Sequence, residues 1–302
     1  MHPSVHHLIV QLLHGFFLLL GALPQRGVDG LARFTGRLWY NVDGRHRRVA
    51  LSNLKRVFGG EKSPSDIEAL ARRVFYNLVR IPFEIGWSMR WKKQDCLRYF
   101  DIQGREKVQQ AQEKGRGVLL LTGHVGNWEL MAPLVLAMGT PVTVPYRPIA
   151  FAPADTFFAQ MRSRFGVRMV PKKKAMRKIL RPLQNGEFVC VLFDQTARVT
   201  MGVRADFFGS KAWTNKGLAL IALKTGAPVL PVFILRDGGR FRVEVGDEIP
   251  LISSGDRKRD VLANTIQYNR ALESVIRRYP DQWFWVHDRW KERQPAKSGT
   301  AG

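Results

Sequence analysis

Apolar positions along the chain fall into three regimes. Residues 5–23 form an apolar stretch close to the roughly 20 residues that span a bilayer, interrupted by His6, His7, Gln11 and His14. His7, Gln11 and His14 recur at i, i+4 and i+7, so they share one helical face. The pattern predicts a membrane-anchoring helix within residues 1–25, with its polar stripe against protein or the helix lying partly in the interface. A cleaved signal peptide fits poorly, because no Lys or Arg precedes the apolar run and Leu23-Pro24-Gln25 is a weak cleavage site.

From residue 49 to about 90 the period becomes helical. Leu51, Leu54, Val57 and Phe58 form one face, and Ile67, Leu70, Ala71, Val74, Phe75 and Leu78 form another. Gly59-Gly60 and Ser63-Pro64 separate the two helices. The aromatic stretch 80–91 suits either core or, through Trp87 and Trp91, a headgroup layer. Beyond it, strand patterns at 117–122, 142–145, 167–170, 188–193, 229–235 and 241–245 alternate with helical ones. Alternation of this kind predicts an α/β sheet flanked by helices. Because Asp237-Gly238-Gly239 makes a hairpin of the last two strands, the sheet should be mixed and mainly parallel. One domain over 26–293 and a disordered tail at 294–302 complete the organisation.

Charge narrows the partners. With 48 Lys plus Arg against 25 Asp plus Glu, a net +23 over 302 residues calls for an anionic partner: nucleic acid, anionic lipid or an acidic protein. Arg26, Arg33, Arg37, Arg45, Arg47 and Arg48 follow the apolar segment directly, which places the bulk of the protein on the cytoplasmic side, against the anionic inner leaflet. Between Thr156 and Gly186 nine basic residues, among them Arg162, Arg164, Arg168 and Lys172 to Lys174, occur with no acid. No recognisable nucleic-acid module carries these charges, so nucleic acid is not the expected partner. Cys96 and Cys190 lack metal-ligand spacing and read as core thiols. Neither a metal nor a nucleotide cofactor is expected.

The chemistry concentrates in Val118-Leu-Leu-Leu-Thr-Gly-His124-Val-Gly-Asn-Trp-Glu129, where an apolar strand enters a glycine-flanked turn. On a continuous helix His124 and Glu129 would lie roughly 140° apart, so His124 must sit in the turn. Gly123 and Gly126 supply unusual dihedrals, Asn127 caps the following helix, and Glu129 in its first turn can reach back to one ring nitrogen. The other nitrogen is then free to take a proton from an alcohol. Arg147 and Asp194 follow other strands and belong to the same edge. His287-Asp288 is a second histidine beside a carboxylate, but with Trp283, Trp285 and Trp290 around it the segment reads as packing or interfacial anchoring.

His124-x4-Glu129, Tyr146-Arg147-Pro148, Asp194-Gln195, Phe207-Phe208-Gly209, Thr214-Asn-Lys-Gly217, Gly226-Ala-Pro-Val-Leu-Pro231 and Gln282 to Lys291 together resemble the lipid A late acyltransferases, within the wider glycerolipid acyltransferase superfamily. The resemblance implies a glycerol-3-phosphate acyltransferase-like fold at the inner membrane. It also implies acyl transfer from an acyl carrier protein thioester to a hydroxyl of a lipid A precursor. His124 and Glu129 would be catalytic, with Arg147, Asp194, Gln195, Arg164 and Asn127 binding substrate. Oxyanion donors would be backbone N–H groups after Asn127, or Arg147. Acylation of another glycolipid or of a lysophospholipid is the nearest alternative; a membrane-tethered hydrolase or a non-enzymatic binding protein is the next.

Overall fold

The computed structural model describes residues 1–171 and 176–292. Lys172 to Lys174 and the tail expected to be disordered lie outside them. Four helices open the chain: α1 (Pro3–Leu20), α2 (Gln25–Val42), α3 (Gly44–Phe58) and α4 (Pro64–Arg90). Ser63 caps α4, its hydroxyl accepting the Asp66 N–H, with Pro64 in the first turn where its missing N–H costs nothing. The predicted apolar faces of α3 and α4 are those that are buried, Leu54 and Val57 on one and Ile67, Leu70, Val74 and Phe75 on the other.

The α/β body follows: β1 (Phe100–Gln103), α5 (Arg105–Gln112), β2 (Val118–Thr122), α6 (Met131–Met138), β3 (Val142–Tyr146), α7 (Ala152–Ser163), β4 (Val167–Pro171), α8 (Met176–Gln184), β5 (Phe188–Leu192), β6 (Gly202–Phe207), β7 (Ser210–Asn215), α9 (Gly217–Thr225), β8 (Val229–Asp237), β9 (Arg240–Val245) and α10 (Arg257–Arg278). Seven strands form a sheet in the order β1-β9-β8-β2-β5-β3-β4. All neighbours pair in parallel except β8 and β9. The mixed, mainly parallel sheet is therefore as predicted, including the hairpin, whose Gly238 and Gly239 both have positive φ. β2 is buried at every position, as a central strand covered on both faces must be. The sequence pattern overlooked β1 and the separate β6–β7 ribbon, which are short and rich in polar residues.

α1 is long and apolar enough to cross a membrane. Its inward face differs from expectation. His6 Nε2 lies 3.1 Å from Thr156 Oγ1 and His14 Nε2 lies 3.1 Å from Gln160 Oε1, both on α7. His7 and Gln11 are exposed. The reason is periodicity: His6, Val10, Leu13, His14 and Phe17 form the face that packs, at i, i+4, i+7, i+8 and i+11.

Trp283 and Trp285 are fully buried, so the C-terminal aromatics are core rather than interfacial anchors, and Trp91 is buried as well. Cys96 and Cys190 are free buried thiols, and burial pushes Cys190 up to about 12.

Candidate active site

β2 and β5 are neighbours in parallel register, Thr122 opposite Leu192. Two residues beyond each strand end stand His124 and Asp194, and the register brings them side by side. The His124 Nδ1–H donates to Asp194 Oδ1 at 2.7 Å, and the His124 backbone N–H donates to Asp194 Oδ2 at 2.8 Å. The Trp283 indole N–H is the third donor to this carboxylate, bonding Oδ2 at 2.8 Å. Burial pushes the Asp194 carboxyl up, but the His124 ring and these donors outweigh it and hold it at about 2. A carboxylate on Nδ1 leaves the lone pair on Nε2, which lies 3.4 Å from the Gln195 side-chain nitrogen.

Asp194, not Glu129, is thus the carboxylate that orients the imidazole. Glu129 does follow the Asn127 cap, its N–H donating to Asn127 Oδ1 at 3.2 Å. That first turn is a 3-10 turn, Trp128–Leu130, and its carboxylate is taken by Arg162 at 2.9 and 2.7 Å in a bidentate pair. No hydrogen bond joins Glu129 to His124 among the described residues.

The two glycines of the turn have separate reasons. Gly126 has φ +62°, and a Cβ there would meet the Ile234 carbonyl at 1.9 Å. Gly123 needs no positive φ; a Cβ there would meet Leu272 at 2.8 Å and the Asp194 carboxyl carbon at 3.2 Å. The C-terminal segment clamps the turn from the other side. Gly126 N–H donates to the Gln282 carbonyl at 2.8 Å and Phe284 N–H to the His124 carbonyl at 3.0 Å.

His124 opens into a cavity of about 600 Å³ that is also lined by Trp128, Glu129, Arg147, Arg162 and Gln195. Its remaining wall is mostly hydrocarbon, from residues such as Leu134, Val144, Met169 and Leu192. The cavity therefore combines a base and charged groups with apolar wall that can take a hydrocarbon chain. Arg147 is exposed at the rim, as its strand-end position predicts.

Two expected substrate contacts lie elsewhere. Asn127 is fully buried, and its side-chain nitrogen donates to Glu84 Oε2 at 2.9 Å. Glu84 is itself buried and held by Arg236 at 2.6 and 2.8 Å, so Asn127 ties the turn to α4 and β8 and does not line the cavity. Arg164 donates to the Met89 and Trp91 carbonyls, both at 2.6 Å, capping the C-terminus of α4 whose last carbonyls lack helical partners. The basic run is likewise not one free patch: Arg162 pairs with Glu129, and Arg168 pairs with Glu187 at 2.5 Å. Of the N–H groups after Asn127 that were expected to face an oxyanion, those of Glu129 and Leu130 are taken by Asn127 itself.

Sequence reasoning missed Trp283 as a site residue, along with Arg289. Arg289 is fully buried, donates to the Trp213 carbonyl and Thr214 Oγ1, and is lowered to about 10 by burial against the opposing charge of Asp194. His287 Nε2 accepts the Thr196 N–H at 3.1 Å, and burial lowers its pKa, so it is a neutral packing group. Among the described residues no three His, Cys, Asp or Glu side chains are grouped to hold a metal.

Comparison with known proteins places this geometry in context. Residues 2–292 match the family model described as bacterial lipid A biosynthesis acyltransferase. A lipid A biosynthesis acyltransferase of Haemophilus influenzae is 26% identical over 278 residues, 90% of this chain and 84% of that protein. The lipid A biosynthesis lauroyltransferase of Escherichia coli is 25% identical over 283 residues, 92% of this chain and 90% of that protein. A phosphatidylinositol mannoside acyltransferase of Mycolicibacterium smegmatis is 25% identical over 260 residues, 82% of each.

Proposed function

The chain belongs to the bacterial lipid A biosynthesis acyltransferase family, and on that premise we propose that it moves a fatty acyl group from an acyl carrier protein thioester to a hydroxyl of a lipid A precursor, with His124 as general base. The observation that carries the mechanism is the 2.7 Å bond from His124 Nδ1 to the buried Asp194, with His124 lining a cavity that combines charged groups with a mostly hydrocarbon wall. His124 Nε2 takes the proton of the acceptor hydroxyl as its oxygen attacks the thioester carbonyl carbon. Asp194 fixes the tautomer and stabilises the imidazolium that forms. Collapse of the tetrahedral intermediate breaks the C–S bond, and the proton on His124 passes to the departing thiolate.

Arg147 at the rim and the Gln195 amide beside Nε2 are the donors best placed to meet the oxyanion or the acceptor. Glu129 acts through Arg162, holding that guanidinium on the cavity wall where it can meet an anionic substrate group. The hydrocarbon wall suits the acyl chain. The apolar α1 and the arginines that follow it support association with the inner membrane, with the domain on its cytoplasmic side against anionic lipids.

The test incubates the purified protein, and separately its His124→Ala variant, with acyl carrier protein thioesters and a lipid A precursor. Acylated lipid from the wild type alone is the expected outcome. Release of free fatty acid regardless of acceptor would replace this reading with that of a hydrolase.

A further inference from the structure

We propose that α1 does not cross the bilayer, and that α1 and α2 together form a monotopic surface lying in the plane of an anionic membrane. The inference deepens the membrane association proposed above by naming the surface and its lipid chemistry; it does not depend on acyl transfer.

α1 is fastened to the α/β body through both of its halves. Near its start His6 meets Thr156, in its middle His14 meets Gln160, and Phe17 stacks on Phe157 with ring centroids 4.8 Å apart. At its end Gly21 lies so close to α4 that a Cβ would stand 2.2 Å from the Gly86 carbonyl. A helix of 18 residues is about 27 Å long. If it spanned the hydrocarbon, it would carry the flank of α7 with it, including exposed Gln160, Ser163 and Arg164. Polar side chains and charge at that depth are strongly opposed.

One outward stripe of α1 is apolar, beside the exposed His7 and Gln11. Val5, Leu8, Leu12, Phe16 and Leu19, at i, i+3, i+7, i+11 and i+14, are all exposed. α2 repeats the design. Val28, Ala32, Gly36 and Tyr40 are buried, and a Cβ on Gly36 would stand 3.0 Å from the Tyr76 Cα of α4. Leu31, Phe34, Leu38 and Val42 fall on a separate face at i, i+3, i+7 and i+11, exposed by 40, 66, 52 and 76%. Leu23 in the connecting turn is exposed too. A stripe of this kind is unusual on a surface that meets only water.

Charge selects the occupant. On the 100° helical wheel Arg26, Arg33 and Arg37 lie together beside the α2 stripe, the arrangement of an interfacial helix whose cations meet headgroups while its apolar side chains enter the acyl layer. Arg33 and Arg37 also join Arg72, Arg73 and Tyr76 of α4 around a recess of about 500 Å³. Its one acid, Asp281, is bonded to Asn77, and Arg72 pairs with Glu68. Arg33, Arg37 and Arg73 have no carboxylate partner among the described residues. The recess thus keeps a positive excess suited to the phosphate of an anionic lipid.

Cys96 and Cys190 are buried, so single cysteines placed on the full chain report alone. In sealed membrane vesicles, His2→Cys and Lys258→Cys should react with an impermeant maleimide from the same side. Reaction from opposite sides would establish a spanning α1 and overturn the proposal. A fluorophore on Phe34→Cys should be quenched by spin-labelled lipid in vesicles containing phosphatidylglycerol, whereas one on Lys258→Cys should not. Adding Arg33→Ala and Arg37→Ala should weaken the response to phosphatidylglycerol by roughly 5-fold per arginine. A Phe34 probe left unquenched while the protein stays vesicle-bound would remove α2 from the membrane surface, whatever the acyl transfer assay gives.

Discussion

His124 and Asp194 are 70 residues apart in sequence, yet their side chains meet at 2.7 Å because each stands two residues beyond the end of adjacent parallel strands. The same carboxylate also accepts the His124 backbone N–H and the Trp283 indole N–H. Both position and orientation of the imidazole are therefore fixed from one side, leaving Nε2 to face the cavity. The arrangement is preorganised: little needs to move before a proton can be taken.

Asp194→Asn keeps the shape of this carboxylate and removes its charge. The ring can then adopt the other tautomer, so kcat should fall by about 10²- to 10⁴-fold with the fold retained. Steady-state kinetics alongside circular dichroism check this. A variant with wild-type kcat would show that Asp194 does not act through His124.

The same pair sets an acid limit. An Asp194 carboxyl held at about 2, below its ordinary 3.8, adds stability that is complete above the ordinary value and is lost as pH falls through the lower one. Denaturant unfolding of the wild type and of Asp194→Asn should thus converge by roughly 2 kcal/mol between about pH 4 and pH 2. A constant difference across that window would contradict the assignment.

Glu129 and Arg162 should behave as one unit. Each is largely buried, so removing either leaves a charge without its partner. A double-mutant cycle with Glu129→Gln and Arg162→Gln should give a coupling of about 1–3 kcal/mol by thermal unfolding. Additive losses would mean that the bidentate pair contributes little.

Gly126→Ala should be among the most damaging small substitutions, because its Cβ would strike the β8 backbone as well as adopt a positive φ. A loss of at least about 2 kcal/mol, together with lost activity, is expected. Gly115→Ala is the control: its φ is +65° but its surroundings are open, so only the conformational cost of about 1 kcal/mol should appear.

Much of this was legible in the sequence. Apolar periodicity specified α1, α3, α4 and most strands of the sheet, since burial on one face of a helix or both faces of a strand leaves a direct trace. Strand ends marked His124, Arg147 and Asp194 as neighbours of one edge, since loops at that edge carry function. Sequence spacing could not say which carboxylate holds His124. It favoured Glu129, which is near in the chain, but strand register favours Asp194, and Arg162 from α7 then takes Glu129. For the same reason Asn127 and Arg164 looked like ligand contacts, until packing assigned one to Glu84 and the other to the end of α4. The sequence by itself determined most of the elements, the charge balance and the candidate base His124, which are properties of local pattern. Only the tertiary structure decided the partners of those side chains, because partners are set by which strands and helices lie side by side.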